Sequence, residues 1–400
     1  MKNAYRACAE IDLDALENNI SQIRKKIGDD TRLMCVIKAN AYGHGAVVLA
    51  RELLTMGADS FAVATLEEGI ELRKSGITQP ILILGFVCKE QYPDMIRYGI
   101  TPTVFSYDMA KEIDAAAHEL GSVIGIHIKI DTGMSRIGFP VSEESVKSIV
   151  MIAHLLRNVR IDGIFTHFAC ADCMEDEMTA EQAAGFAWVA DAVEKAGVSI
   201  PCRHCANSAA IMRYPDLKYN MVRAGIVIYG LYPSDEVDPA LLSLKPVMSL
   251  KSHVAHVKNV PAGTRVGYGA TFVCQRPTTI ATISIGYADG YPRALSNRGR
   301  VLIGSESFPV IGRVCMDQIM VDITDASRRI KRGDSVTLVG TEGKEHISVE
   351  EVSGFGDSFN YEFVCNINRR VPRVYLRGGR VQEVVNFIWT EEDASGTQRL

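Results

Sequence analysis

Leu13, Leu16, Ile20, Ile23 and Ile27 recur three or four positions apart, with mostly polar residues between them. That spacing places the apolar side chains on one face and predicts a helix over 12–27, with the Asp12 carboxylate set to cap its first amides. After it the pattern changes to short apolar runs at 32–38, 60–65, 80–86, 101–105, 122–131, 161–167, 201–206 and 220–223, separated by segments of helical composition. Strands that alternate with helices pair in parallel, and eight such units over about 200 residues are what a closed barrel requires. From about residue 244 polar and apolar residues alternate between Gly and Pro turns, as in 278–286, 301–320 and 334–339, which reads as antiparallel sheet. The expected architecture is therefore α/β: a TIM-type (β/α)8 barrel over 13–243, followed by a mainly antiparallel β domain over 244–388. The segment 1–12 is expected to join the β domain, and 389–400 to form a polar tail.

Composition narrows the class. The 400 residues are 47% hydrophobic and 23% charged, enough to bury a large core. A net charge of -5 without a Lys/Arg-rich run argues against nucleic acid as a partner. The N-terminus lacks the apolar core of a signal peptide, and no stretch approaches the roughly 20 apolar residues that span a bilayer. A cytoplasmic protein without membrane partners is expected, and its ten cysteines read as reduced thiols.

Barrel enzymes work at the carboxyl ends of their strands, so polar residues that follow apolar runs come first. Lys38 ends the run Leu33-Met34-Cys35-Val36-Ile37 and precedes Ala39-Asn40-Ala41-Tyr42-Gly43-His44-Gly45, whose glycines permit close backbone approach. An amine there suits imine formation with an aldehyde; equally, the position suits a solvated lysine. In 124–131, alternation separates Ile126, Ile128 and Ile130 from His127, Lys129 and Asp131, so His127 and Lys129 point into the barrel. The loop after them puts Arg136 above the same opening. Asn207 and Ser208 follow the seventh run, and Arg223-Ala224-Gly225-Ile226 ends the eighth. Amides near Gly225 and Ile226 with the Ser208 hydroxyl could cradle a phosphate, or form ordinary turns.

The run from Val36 to Gly45 resembles the cofactor-binding motif of alanine racemases, and Lys129-Ile130-Asp131-Thr132-Gly133-Met134-Ser135-Arg136-Ile137-Gly138 resembles a second family motif. Ala206-Asn207-Ser208-Ala209-Ala210, Val222-Arg223-Ala224-Gly225-Ile226, Gly267-Tyr268-Gly269, Gly286-Tyr287-Ala288-Asp289-Gly290-Tyr291 and Cys315-Met316-Asp317-Gln318 follow in family order. Seven ordered matches make the likeness specific, and it extends over roughly residues 5–388.

The resemblance implies an isomerase that interconverts L- and D-alanine with pyridoxal 5'-phosphate, as a homodimer whose active sites are shared across the interface, serving D-alanine biosynthesis as a peptidoglycan precursor. By that likeness Lys38 anchors the cofactor and acts as one base, and Tyr268 of the other subunit as the second. Tyr42, Ser208, Gly225, Ile226 and Tyr361 are implied as phosphate contacts, with Asn207 beside them. Arg223 is implied as the partner of the pyridine nitrogen, with His167 and His204 linking Arg223 and Tyr268. Arg136 is implied at the cofactor's phenolic oxygen and the substrate, and Met316 at the substrate carboxylate across the dimer interface, with Asp317 orienting neighbours. Lys129 resembles a lysine that is often carbamylated.

Other readings stay open. The scaffold also suits a serine or broad-specificity racemase, or a non-catalytic pyridoxal-phosphate carrier; the carrier would lack the β domain and Tyr268. A decarboxylase is disfavoured because its glycine and cysteine motifs are not evident. Cys170, Cys173, Cys202 and Cys205 have zinc-like CxxC spacing, but strand alternation turns Cys205 away from Cys202 and His204, so no metal is expected.

Overall fold

A computed structural model describes residues 5–356 and 358–388, so the expected tail at 389–400 lies outside the described residues. Two compact units divide the chain: 16–41 with 46–245, and 5–15 with 42–45 and 246–388.

The first unit is a parallel barrel of β1 (Arg32–Val36), β2 (Ser60–Val63), β3 (Ile81–Ile83), β4 (Thr101–Val104), β5 (Ile124–Asp131), β6 (Val159–Phe165), β7 (Arg203–His204) and β8 (Met221–Ala224). The sheet runs β8-β1-β2-β3-β4-β5-β6-β7, and the Arg223 amide donates to the Ala206 carbonyl at 3.0 Å where the last edge meets the first. Several strands are shorter than their apolar runs. In the run 80–86 only three residues pair: Pro80 has no amide to give, and at Gly85 a Cβ would lie 2.7 Å from the Ala64 carbonyl oxygen. Strand β6 begins two residues earlier than its apolar run, because Val159 and Arg160 pair with Ile124 and Gly125 of β5.

Side-chain caps set the helix starts. Ser106 accepts from the Met109 amide, Ser142 from Ser145, and Thr65 forms a reciprocal capping box with Glu68. The expected alternation in β5 holds: Ile126, Ile128 and Ile130 are wholly buried on one face, while His127 and Lys129 are buried on the other. The helix Leu13–Ile27 begins where the Asp12 carboxylate accepts from the Asp14 and Ala15 amides at 2.9 and 3.0 Å.

The second unit is built on a sheet whose ladders are antiparallel except one. Ala7–Asp12 lies between Met248–Val260, which it pairs antiparallel, and Arg373–Arg377, which it pairs in parallel. Met248–Val260 also pairs with Ser335–Glu342 and Thr278–Ile283, with its register shifting at Val254. Arg373–Arg377 turns into Arg380–Val385 through Gly378 and Gly379, both at positive φ, the backbone that a tight hairpin needs. Among the described residues no helix is long and apolar enough to cross a membrane.

Candidate active site

The barrel interior is organised around one buried arginine. Arg223 Nη1 donates to His204 Nδ1 at 2.9 Å and to the His204 carbonyl, and Nη2 donates to His167 Nδ1 at 3.2 Å and to the carbonyls of Thr166 and Cys205. A guanidinium has no acceptor, so both histidines must present an unprotonated Nδ1 and carry their proton on Nε2. His204 Nε2 then donates to His127 Nδ1 at 2.9 Å, which fixes the His127 proton on Nε2 as well. A directed chain of neutral rings thus runs from Arg223 down the barrel. Gly163 leaves room for it, since a Cβ there would lie 2.7 Å from His127 Cε1.

Electrostatics agree with the tautomers. Burial pulls His127 down to about 4 and holds His204 well below its ordinary value, with Arg223 adding to both effects. His167 is held down by burial and then by Arg223, Arg136, Lys129 and Lys38, so four cations converge on one ring. Burial, with Arg223 and Arg136 nearby, lowers Lys129 to about 8, and its Nζ donates to the Ile130 carbonyl at 2.7 Å. Arg223 itself drops to about 10 on burial and stays charged near neutrality; its guanidinium carbon sits 5.2 Å from the Phe165 ring centroid. Such a cluster of cations favours an anionic ligand.

Lys38 follows β1 at the strand's carboxyl end, and Ala39, Asn40, Ala41 and Tyr42 after it all have φ between 49 and 55°. A left-handed turn without glycine costs about 1–2 kcal/mol per residue and persists only where neighbours enforce it. Glu68 accepts from the Ala39 amide at 2.6 Å and the Ala64 amide at 2.7 Å, and Asn40 Oδ1 accepts from the Ala46 amide at 2.8 Å. Across the barrel, Asn207 caps the helix Ser208–Arg213 by accepting from the Ala210 amide, and the Gly225 amide donates to Ser208 Oγ at 3.0 Å. Ser208, Gly225 and Ile226 therefore lie together. Arg136 stands exposed on the loop after β5, where Asp131 accepts from the Gly133 and Ser135 amides.

In the second unit Tyr42–Gly45 is packed too tightly for side chains at its glycines. A Cβ at Gly43 would lie 2.0 Å from the Val364 carbonyl oxygen, and one at Gly45 would lie 1.8 Å from Tyr375 Oη. The glycines serve this packing, a role the sequence alone does not disclose. The Tyr42 and Tyr361 rings are 6.0 Å apart. Tyr268 is exposed on a one-turn helix between Gly267 and Gly269, and Met316 is exposed beside Asp317. Asp317 accepts from Arg370 Nη2 at 2.7 Å, and Arg370 Nε reaches the buried Asp289 at 3.2 Å, which also pairs with Arg6.

Sequence reasoning missed Arg6, Arg370 and Arg373 as organising residues. Only Asp289 gave a signal, as part of a matched motif. The two CxxC pairs have separate partners: Cys202 Sγ meets Met221 Sδ and Cys205 Sγ donates to the Leu217 carbonyl, while Cys170 Sγ meets Met178 Sδ and stays beside Cys173. Among the described residues no three His, Cys, Asp or Glu side chains gather as a metal site.

The fold and this clustering belong to the barrel enzymes that bind an anionic ligand at the carboxyl ends of their strands. The profile of the alanine racemase N-terminal domain matches residues 11–233, and that of the alanine racemase C-terminal domain matches 247–375. The chain belongs to the alanine racemase family, which is a family of isomerases. It is 46% identical over 368 residues to an alanine racemase of Desulforamulus reducens, covering 92% of this chain and 98% of that one. An alanine racemase structure from Clostridium difficile 630 superposes with a TM-score of 0.93 at 44% identity, covering 96% of this chain and all of that one. A structure from Bartonella henselae, described with covalently bound pyridoxal phosphate, matches at 29% identity and a TM-score of 0.81, covering 93% and 100% of the two chains.

Proposed function

We propose that the protein interconverts L- and D-alanine in the cytoplasm, as a homodimer, with pyridoxal 5'-phosphate held by the barrel. The observation that carries this is Arg223, buried and pinned as a donor between two neutral histidines beside Ser208 and Gly225. The residues suit the cofactor: four cations around His167 call for an anion, and Lys38 stands at a strand end with an amine to offer an aldehyde. When bound, pyridoxal phosphate withdraws electrons from the substrate Cα and so acidifies its proton.

The residues divide the remaining work, and the family likeness supports the division. Lys38 moves the proton on one face of Cα and Tyr268, from the partner subunit, on the other, since inversion needs removal and delivery on opposite sides. Ser208, Gly225, Ile226, Tyr42 and Tyr361 would hold the phosphate, with Asn207 capping the helix beside them. Arg223 would hold the pyridine nitrogen and, having no lone pair to accept a proton and no proton to lose near neutrality, would keep it unprotonated, which favours return of the proton to Cα. Arg136 and, across the dimer interface, Met316 bind the substrate carboxylate, and Asp317, held by Arg370, orients Met316. At about 8, Lys129 has a useful fraction of free amine at neutral pH, so it can add carbon dioxide with loss of a proton; the resulting anion pairs with Arg136. Residues 13–243 thus carry the cofactor, and 244–388 the second base.

Incubation with pyridoxal phosphate and L-alanine in deuterated water tests this. D-Alanine labelled at Cα is expected; label without D-alanine means a single working base, and no exchange at all refutes the proposal. Lys38→Ala should abolish cofactor-imine absorbance and turnover. Tyr268→Phe should keep the absorbance and lose proton transfer in one direction, and racemisation at the parental rate would remove Tyr268 as the second base.

A further inference from the structure

Arg373 is the largest fully buried side chain among the described residues, and its partners there are main-chain carbonyls with no carboxylate among them. Nε donates to Gly43 at 2.8 Å, Nη1 to Asn368 at 2.8 Å and Val371 at 2.6 Å, and Nη2 to Ile367 at 2.6 Å. Burying a cation without a counter-charge is costly, and here carbonyl dipoles offset it together with the Phe387 ring, whose centroid lies 5.4 Å from the guanidinium carbon. The planar fork also fixes those four carbonyls relative to one another.

The carbonyls belong to two segments that bear or adjoin residues of the proposed site. Gly43 follows Tyr42. Ile367 ends the helix Asn360–Asn366, which carries Tyr361, so the guanidinium sits where that helix leaves carbonyls without amides. Asn368 and Val371 bracket Arg370, which holds Asp317 next to Met316. We propose that Arg373 is a positioning residue that aligns Tyr42 and Tyr361 for the cofactor phosphate and, through Arg370, Asp317 and Met316 for the substrate carboxylate across the dimer interface; this rests on the function proposed above. A lysine in its place has its three donors on one nitrogen and cannot span the four carbonyls.

The test compares the wild-type homodimer with Arg373→Lys and Arg370→Gln. For Arg373→Lys, the apoprotein titrated with pyridoxal phosphate should bind about tenfold more weakly by absorbance, and the KM for alanine should rise about tenfold. Its kcat at saturating cofactor and substrate should stay within about threefold. Arg370→Gln should raise KM and leave cofactor affinity unchanged. Unchanged affinity and KM in a folded Arg373→Lys protein overturn the assignment, as does an equal loss of kcat with KM untouched, the mark of a merely structural role. Should Arg373→Lys not fold, hydrogen exchange of the wild type decides. Pyridoxal phosphate is expected to protect peptides 42–46 and 366–372 together, and protection of the first alone overturns the coupling. A wild type that binds no pyridoxal phosphate sinks the underlying reading and this inference with it.

Discussion

Each unit buries one arginine almost completely, and each lets it fall to about 10, yet they satisfy it with different chemistry. Arg223 in the barrel donates to two imidazole nitrogens as well as to carbonyls. Arg373 in the β unit donates to carbonyls throughout. A carbonyl has one protonation state, so Arg373 can govern only where segments lie. An imidazole has several, so Arg223 dictates which nitrogens of His167, His204 and His127 carry protons. The same side chain sets shape in one unit and protonation in the other.

Arg223→Lys presses hardest on this contrast. One ammonium cannot reach the five acceptors that Arg223 serves, so the histidines lose their imposed tautomers, and kcat is expected to fall about 10³-fold in steady-state racemisation. If Arg223→Lys changed KM and spared kcat, as Arg373→Lys should, the contrast would fail. Gly43→Ala attacks the carbonyl side. With φ at 80° and Val364 O 2.0 Å from the new methyl, it should cost about 3 kcal/mol in denaturant unfolding, and a loss near zero would mean that the segment Arg373 holds is not confined.

Acid stability isolates the imidazole side. His127 titrates near 4 when folded and near 6.5 when unfolded, so below pH 6.5 the unfolded chain binds the extra proton. Stability present above pH 6.5 is therefore lost as pH falls toward 4, at about 1.4 kcal/mol per pH unit for this histidine. His127→Gln should flatten the pH dependence of unfolding in that window; an unchanged slope would mean that His127 is not held neutral. The smallest effect is expected of Asn207→Ala, which removes one helix cap at about 1 kcal/mol. Loss of turnover far beyond that would assign the Asn207 side chain a direct part in binding.

Much of this was legible along the chain. The helical period over 12–27, the runs that became the barrel strands and the split of Ile126, Ile128 and Ile130 from His127 and Lys129 follow from local sterics and periodicity, which act within a few residues. Strand ends were harder to read. In the run 80–86 only three residues pair: Pro80, which has no amide, is a local signal, but the close approach of Gly85 to the Ala64 carbonyl involves a distant neighbour that no local pattern encodes.

The sequence by itself determined the order of elements, the Asp12 cap and the candidate chemistry at Lys38, Arg136, Ser208 and Arg223, because residue type and spacing are local properties. Tertiary structure decided which of Arg369, Arg370 and Arg373 is buried, why Gly43 and Gly45 have no side chains, and which nitrogen of each barrel histidine bears its proton. Those outcomes depend on desolvation and on atoms brought within 3 Å from positions as far as 330 residues apart, as for Arg373 and Gly43, and only the folded chain sets such distances.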